Sequence, residues 1–242
     1  MKVKYFTLPN IITLCNLMCG AIAAVCTVSH IWAPEMVSLK IPLLLILASA
    51  VFDFLDGLAA RLTGQYSALG VQLDSLADMV SFGLTPTLIL VAMYNDAGGK
   101  GWWWLVCLAV VACSALRLAR FNIDDEQHEN FIGLPTPACA IAVGSLAWAT
   151  AEGAIALSNI HIMVIALVCG WLLISPIRMF SLKFKGLSLK DHTNRLRYIF
   201  LVAALVVLLI GGLGALWYII ILYILTSVIS TLAYKSQTKE QK

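Results

Sequence analysis

The feature that most constrains this chain is a series of long apolar runs, each long enough to cross a lipid bilayer. A membrane-spanning helix needs about 20 predominantly apolar residues. The sequence contains eight such runs, at approximately 11–32, 41–61, 70–94, 102–120, 136–152, 160–181, 198–213 and 215–234. Charged residues make up only 12% of the chain, against about 25% in a soluble domain. We therefore expect an all-α, polytopic membrane helical bundle of about eight transmembrane helices, forming a single integral membrane domain over residues 1–242.

Lysine and arginine are distributed unevenly among the segments that join these runs. Eight spans place both termini on one side, and that side collects 14 of the 16 Lys and Arg residues. The opposite side receives only Lys40 and Lys100. The positive-inside rule then predicts cytoplasmic termini and cytoplasmic polar loops at 121–137 and 181–197. This basic surface suits anionic lipid head groups, and nothing else in the sequence suggests nucleic-acid binding.

Four aspartates interrupt the second and third runs near their cytoplasmic ends. Asp53 and Asp56 are three residues apart, and Asp74 and Asp78 are four apart, so each pair shares one helix face. Insertion of a charge at the centre of a membrane helix costs about 2.5–3.5 kcal/mol. Arg61 is the only cation in this stretch and cannot neutralise four carboxylates. We therefore expect the two helices to be antiparallel neighbours whose acids bind hard metal ions such as Mg²⁺ or Mn²⁺.

Small and polar residues accompany these acids. Gly57 and Gly70 lie on the acidic helix faces, where they either admit a phosphate group or allow close helix packing. Arg61 either holds that phosphate or lies at the interface as a positive-inside residue. In the first run, Thr13 and Asn16 form part of a polar stripe. Asn16 lies too deep to be a helix cap, so both side chains are candidates for contact with a nucleotide.

Eight of these positions spell D-x-x-D-G-x-x-A-R followed by G-x-x-x-D-x-x-x-D: Asp53, Asp56, Gly57, Ala60, Arg61, Gly70, Asp74 and Asp78. This pattern resembles the signature of the CDP-alcohol phosphotransferases without a departure. The resemblance implies a six-helix membrane core, a homodimer, and displacement of CMP by an alcohol with the aid of two divalent cations, Mg²⁺ or Mn²⁺. The catalytic core would then span about 5–182, and the hairpin at about 198–234 would be additional.

The resemblance also implies individual roles. Metal ligands would be Asp53, Asp56 and Asp74, with Asp74 bridging both ions. Asp78 would help to bind the second metal and act as the general base, since an alcohol is a weak nucleophile at neutral pH. The residues expected to contact the CDP moiety are Gly57, Arg61, Ser67 and Gly70, together with Thr13 and Asn16.

Two further stretches bear on the acceptor alcohol. "DSLADMVSFGLTP" (74–86) and "RLARFN…FIGLPTPA" (117–138) resemble the phosphatidylserine synthase branch of that family. This implies CDP-diacylglycerol as donor and L-serine as acceptor, with Arg117, Arg120 and Asn122 as candidates for binding serine.

Alternatives remain open at the level of the sequence. The arginines are also explained by the positive-inside rule, and glycerol 3-phosphate or inositol phosphate would equally favour them. A cation or proton transporter is a more remote alternative, because intramembrane acids also mark ion pathways. Transporters bind near the midplane between repeats, whereas these acids lie near one face.

Overall fold

The computed structural model describes residues 5–123, 132–179 and 192–240. Within these ranges the chain is helical, and its only extended pairing is an isolated antiparallel bridge between Ile132 and Arg178. Parts of both predicted polar loops, residues 124–131 of the loop at 121–137 and residues 181–191 of the loop at 181–197, lie outside the described residues. The same holds for many of the basic residues on which the predicted orientation depends.

The helices follow the predicted apolar runs in order, and an all-α membrane bundle is confirmed. In chain order they are α1 (Leu8–Trp32), α2 (Lys40–Thr63), α3 (Ala68–Asp78), a π-helical segment (Met79–Leu84), α4 (Thr85–Asp96), a 3₁₀ segment (Gly101–Cys107), α5 (Leu108–Ile123), α6 (Thr136–Ala151), α7 (Asn159–Ile174), α8 (His192–Gly211), a 3₁₀ turn (Leu213–Ala215) and α9 (Leu216–Glu240).

Four continuous helical stretches among the described residues are long and apolar enough to cross a membrane: Leu8–Trp32, Lys40–Thr63, Ala68–Asp96 and Gly101–Ile123. The apolar stretches of the remaining helices are shorter, at Thr136–Ala151, Asn159–Ile174, Phe200–Gly211 and Leu213–Ile229. The sixth run was predicted to reach residue 181, but α7 ends at Ile174. Ser175 is extended, with φ −63° and ψ 150°, because the ring of the following Pro176 disfavours a helical conformation in the residue before it.

The third predicted span contains a π-helical segment that hydropathy does not reveal. This segment begins at Met79, directly after Asp78. Thr85 fastens its end, because the Thr85 hydroxyl lies 2.9 Å from the Val80 carbonyl oxygen and 3.0 Å from that of Gly20 in α1. Short π-helical insertions are rare and often occur at functional sites. The acidic helix therefore changes its winding at the last of the four aspartates.

Helix α1 holds the two acidic helices in place. It packs along both α2 and α3, whereas α2 and α3 barely touch each other. The acids of the two neighbouring helices nevertheless face each other as predicted, since carboxylate oxygens of Asp53, Asp56 and Asp74 lie within 4.8 Å of one another. Carboxylates on facing helices repel at short range, and the space between α2 and α3 leaves room for their side chains.

The apolar core lies beyond the π-helical segment, among α4, α5, α6 and α7. Fully buried side chains there include Phe82, Ile89, Val110, Val143 and Leu173. The additional hairpin α8–α9 packs on α6. The Ser145 hydroxyl donates to the Leu213 carbonyl oxygen at 2.9 Å and accepts the Trp217 N–H at 3.1 Å. This contact attaches the hairpin to the core.

Candidate active site

Three of the four aspartates converge. Asp53 and Asp56 on α2 and Asp74 on α3 each present a carboxylate oxygen, and these oxygens lie within 4.8 Å of one another. Asp56 is buried, and the other two are half-buried. The side chains come from two helices that are held together through α1, so the cluster is a product of the tertiary fold.

The carboxylate oxygens of this cluster are suited to binding a cation. The carboxyl groups of Asp53 and Asp74 contact each other, although like charges at that range repel. Asp74 Oδ1 is buried and has no hydrogen-bond partner among the described residues. A buried oxygen without a partner is costly, and a bound cation removes that cost. The donor set is all oxygen, which is the chemistry that Mg²⁺ and Mn²⁺ prefer.

Asp78 lies beside this cluster but is not one of its three members. Its side chain is buried, with 8% of the residue exposed. Asn16 Nδ2 donates a hydrogen bond to Asp78 Oδ1 at 3.1 Å. Asp78 also interacts electrostatically with Asp53 and Asp74. The structure therefore separates a group of three carboxylates from a fourth that α1 holds individually.

The polar stripe of α1 faces the aspartates. Thr13 Oγ1 donates to Asp56 Oδ2 at 2.6 Å, and Thr13 and Asn16 are both buried. Asn16 Oδ1 is buried and lacks a hydrogen-bond partner in the described part of the chain. The depth predicted for Asn16 is therefore correct. A contact between these two side chains and a nucleotide stays a prediction.

Gly57 and Arg61, which follow Asp56 in the signature on α2, both face open space. A Cβ atom at Gly57 would meet no atom within 4 Å, so close helix packing does not explain this glycine. Arg61 is exposed, and its Nε donates to the Gly57 carbonyl oxygen at 3.0 Å. No carboxylate among the described residues forms an ion pair with Arg61. Both positions are accessible to an anionic ligand beside the three carboxylates.

Ser67 and Gly70 have local structural roles. The Ser67 hydroxyl accepts the Gly70 N–H at 2.9 Å and caps the start of α3, which satisfies a backbone donor that the helix leaves free. A Cβ atom at Gly70 would lie 3.2 Å from both Asn10 Oδ1 and Ser67 Oγ. Close approach to the start of α1 therefore accounts for this glycine, and contact of either residue with CDP stays a prediction.

Arg117 is buried rather than exposed at the interface. Its Nη1 donates to the carbonyl oxygens of Ile132 at 2.8 Å and Leu173 at 3.5 Å. Together with the exposed Arg120, it lines a cavity of about 280 Å³. Among the described residues no carboxylate forms an ion pair with Arg117. A buried guanidinium without a counter-charge, at the wall of a cavity, favours an anion there.

Asn122 is engaged with α3. Its Nδ2 donates to Ser75 Oγ at 2.9 Å, and Ser75 follows Asp74 directly. The contact ties the end of α5 to the acidic helix. It was not predicted, because a single serine in an apolar run carries no signal of its partner.

Other contributors also escaped the sequence analysis. Ser49 and Ser81 both donate to the Asn16 carbonyl oxygen, at 3.2 Å and 3.1 Å. Gly133 has φ +77°, and a Cβ atom there would lie 2.5 Å from the Leu173 carbonyl oxygen. From the sequence, a glycine predicts only that a turn is possible at that position. Nothing in the sequence indicates which distant segment lies against it.

Comparison with known proteins decides the family. Residues 6–176 match the sequence model described as CDP-alcohol phosphatidyltransferase. The chain belongs to the CDP-alcohol phosphatidyltransferase family. The family match covers α1 to α7 and ends before α8, so the signature and the three-carboxylate group of this CDP-alcohol phosphatidyltransferase lie within it.

Relatives of this CDP-alcohol phosphatidyltransferase include two proteins named CDP-diacylglycerol–serine O-phosphatidyltransferase. The one from Mycobacterium tuberculosis is 36% identical over 148 residues, which cover 58% of this chain and 49% of the relative. The one from Bacillus subtilis is 34% identical over 133 residues, covering 54% of this chain and 69% of the relative. An archaetidylserine synthase from Methanothermobacter thermautotrophicus is 31% identical over 144 residues, covering 59% and 58%. The aligned part thus spans about half the length of the mycobacterial relative.

Proposed function

We propose that this chain transfers a phosphatidyl group from CDP-diacylglycerol to the hydroxyl of L-serine, releasing phosphatidylserine and CMP. The observation that carries the proposal is the convergence of Asp53, Asp56 and Asp74 within 4.8 Å, at positions that match the family signature. The names of the relatives support serine as the acceptor.

The reaction is a displacement at phosphorus. The serine hydroxyl oxygen attacks the β-phosphorus of the donor, the bond from that phosphorus to the bridging oxygen breaks, and CMP leaves with the electron pair. Asp78 receives the proton of the hydroxyl. Asp53, Asp56 and Asp74, with Asp78, would hold two divalent cations, Mg²⁺ or Mn²⁺. When bound, such cations neutralise the pyrophosphate and stabilise the leaving CMP.

The donor would lie along the open side of α2. Gly57 leaves space there, and the Arg61 guanidinium forms no ion pair with a carboxylate of the described residues. Charge-assisted hydrogen bonds from arginine to phosphate are strong and directional. Ser67, Gly70 and Thr13 complete the proposed nucleotide site.

Serine would approach from the α5 side. The cavity beside Arg117 and Arg120 supplies the cationic surroundings that a serine carboxylate requires. The hydrogen bond between Asn122 and Ser75 links this region to α3. We assign these three residues to the acceptor site.

The setting of the reaction is also proposed. The protein would lie in the inner membrane of the cell, with the acidic ends of α2 and α3 facing the cytoplasm. CDP-diacylglycerol would then reach the site from the inner leaflet, and serine would reach it from the cytoplasm. The positive-inside distribution supports this orientation. The protein would work as a homodimer, as the family resemblance implies, surrounded by membrane lipids.

A comparison of acceptors tests the proposal. Purified protein is incubated with CDP-diacylglycerol and Mg²⁺ or Mn²⁺, and with serine, glycerol 3-phosphate or inositol phosphate in turn. CMP release and the lipid product are followed by mass spectrometry. We expect CMP release with serine only, together with phosphatidylserine as the lipid product. Release with another acceptor would reassign the substrate, and no release with any acceptor would contradict the proposed activity.

A variant of Asp78 tests the assignment of the base. Asp78→Asn should abolish CMP release while CDP-lipid binding is retained, because the amide keeps the shape of the carboxylate but cannot accept the proton. Binding is followed through the thermal shift that CDP-diacylglycerol produces. Near-normal turnover by this variant would exclude Asp78 as the base.

A further inference from the structure

The side chain of Asn16 in α1 donates a hydrogen bond to Asp78. It is 0% exposed, and its Nδ2 lies 3.1 Å from Asp78 Oδ1. No other side chain in the described part of the protein is seen to donate a hydrogen bond to that carboxylate. An asparagine this deep in an apolar helix is costly unless its polar atoms have partners, and its amide nitrogen has one.

The backbone of Asn16 is fixed just as firmly. Its carbonyl oxygen accepts hydrogen bonds from Ser49 of α2 and from Ser81 of the π-helical segment, at 3.2 Å and 3.1 Å. One turn later, a Cβ atom at Gly20 would lie 2.6 Å from Ser81 Cα. Helix α1 and the π-helical segment are therefore in backbone-level contact, and Asn16 cannot shift without moving three elements.

These contacts meet where Asp78 is placed. The π-helical segment starts one residue after Asp78, and Ser81 holds that segment against the Asn16 carbonyl. The backbone of Asn16 thus sets where the Asp78 main chain lies, while its amide sets the rotation of the Asp78 carboxylate.

We propose that Asn16 is a positioning residue that orients the Asp78 carboxylate, rather than a contact for the nucleotide. This inference rests on the proposed function, since it assigns a task to the residue that holds the base. Orientation acts on the chemical step, so its loss lowers kcat. Loss of a contact to CDP would instead raise KM for the donor. Displacement of a reacting group by about 1 Å can cost about 100-fold in rate.

The test compares three variants of the full-length protein in the CMP-release assay with CDP-diacylglycerol and serine. Asn16→Ala removes the amide. Asn16→Asp keeps the side-chain volume but replaces the N–H donor with an acceptor. Thr27→Val is the matched control, because Thr27 is also buried on α1. Among the described residues, its hydroxyl donates a hydrogen bond only to the Ala23 carbonyl oxygen of its own helix, at 2.8 Å. Thermal unfolding in detergent shows which variants are folded.

We expect kcat to fall by about 10- to 100-fold in both Asn16 variants, with KM for CDP-diacylglycerol within about threefold of wild type and Thr27→Val unchanged. A raised KM with normal kcat would overturn the inference in favour of a nucleotide contact. Normal kinetics in either folded Asn16 variant would overturn it outright. A wild-type protein that releases no CMP with any acceptor would instead contradict the proposed function itself.

Discussion

The two ends of α1 each meet a cluster of ionisable side chains, and the two clusters differ in how their atoms are satisfied. Near the end of the helix, His30 Nε2 lies 3.0 Å from Asp96 Oδ2, and His30 Nδ1 lies 2.6 Å from the Val37 carbonyl oxygen. Near its start, the carboxyl groups of Asp53, Asp56 and Asp74 come together. Thr13 donates a hydrogen bond to Asp56 Oδ2, but Asp74 Oδ1 has no partner among the described residues.

The difference distinguishes a structural hydrogen-bonded cluster from a binding site. Each ring nitrogen of His30 already has an acceptor, so this cluster is complete without a ligand. The carboxylate cluster is incomplete, because no cationic side chain among the described residues forms an ion pair with it. A cavity of about 450 Å³ lies beside His30 and Asp96, so the size of a cavity does not identify the reactive end. Buried carboxylate oxygens without a hydrogen-bond partner, such as Asp74 Oδ1, identify it.

The largest expected effect follows from removing a carboxylate of the incomplete cluster. Asp74→Asn should lower the rate of CMP release by about 1000-fold or more, or ~4 kcal/mol of transition-state stabilisation. The thermal unfolding midpoint should stay constant or rise, since a source of repulsion is lost. Asp96→Asn is the control at the complete cluster and should retain the wild-type rate. Equal losses in both variants would remove the distinction between the clusters.

A smaller effect is expected beside the incomplete cluster. Arg61→Ala should raise KM for CDP-diacylglycerol by about 10-fold, the order expected for one hydrogen bond to a charged group. Folding should be unaffected, because Arg61 is exposed and its recorded polar contact is with the carbonyl of Gly57. Steady-state kinetics with varied donor concentration measure this. An unchanged KM would leave Arg61 as an interfacial positive charge.

The smallest effect on activity is expected at the complete cluster. His30→Ala removes two hydrogen bonds from a buried ring and should lower the free energy of unfolding by about 1–2 kcal/mol. The Asp96 side chain is 42% exposed, and solvent screening keeps the loss towards the lower value. The turnover of the folded variant should match wild type. A stable His30→Ala protein with a strongly reduced kcat would assign chemistry to this end.

The helices were predictable from the sequence to a large extent, because bilayer thickness sets the length of an apolar run independently of tertiary contacts. All eight predicted runs correspond to helices among the described residues. The π-helical segment after Asp78 was not predictable, since hydropathy does not report helix winding. The small number of backbone contacts between α2 and α3 was not predicted either, because it depends on how α1 packs against both helices.

The site was predictable where spacing along one helix decides which side chains meet. The intervals between the aspartates placed Asp53 with Asp56 correctly, and the depth of Asn16 followed from its position in the first run. Partners from distant segments were not predictable. Arg117 bonds the carbonyl of Ile132 and Asn122 bonds Ser75, and only the folded arrangement of α3, α5 and α7 brings these groups together.

Binding of Mn²⁺ tests the central assignment most directly, because the metal can be followed without substrates or turnover. Electron paramagnetic resonance of free Mn²⁺, titrated with purified protein, measures how many ions bind and how tightly. We expect saturable binding to wild type and to Asp96→Asn, and its loss in Asp74→Asn. Equal binding by Asp74→Asn and wild type would contradict the assignment of the three converging carboxylates as the metal site.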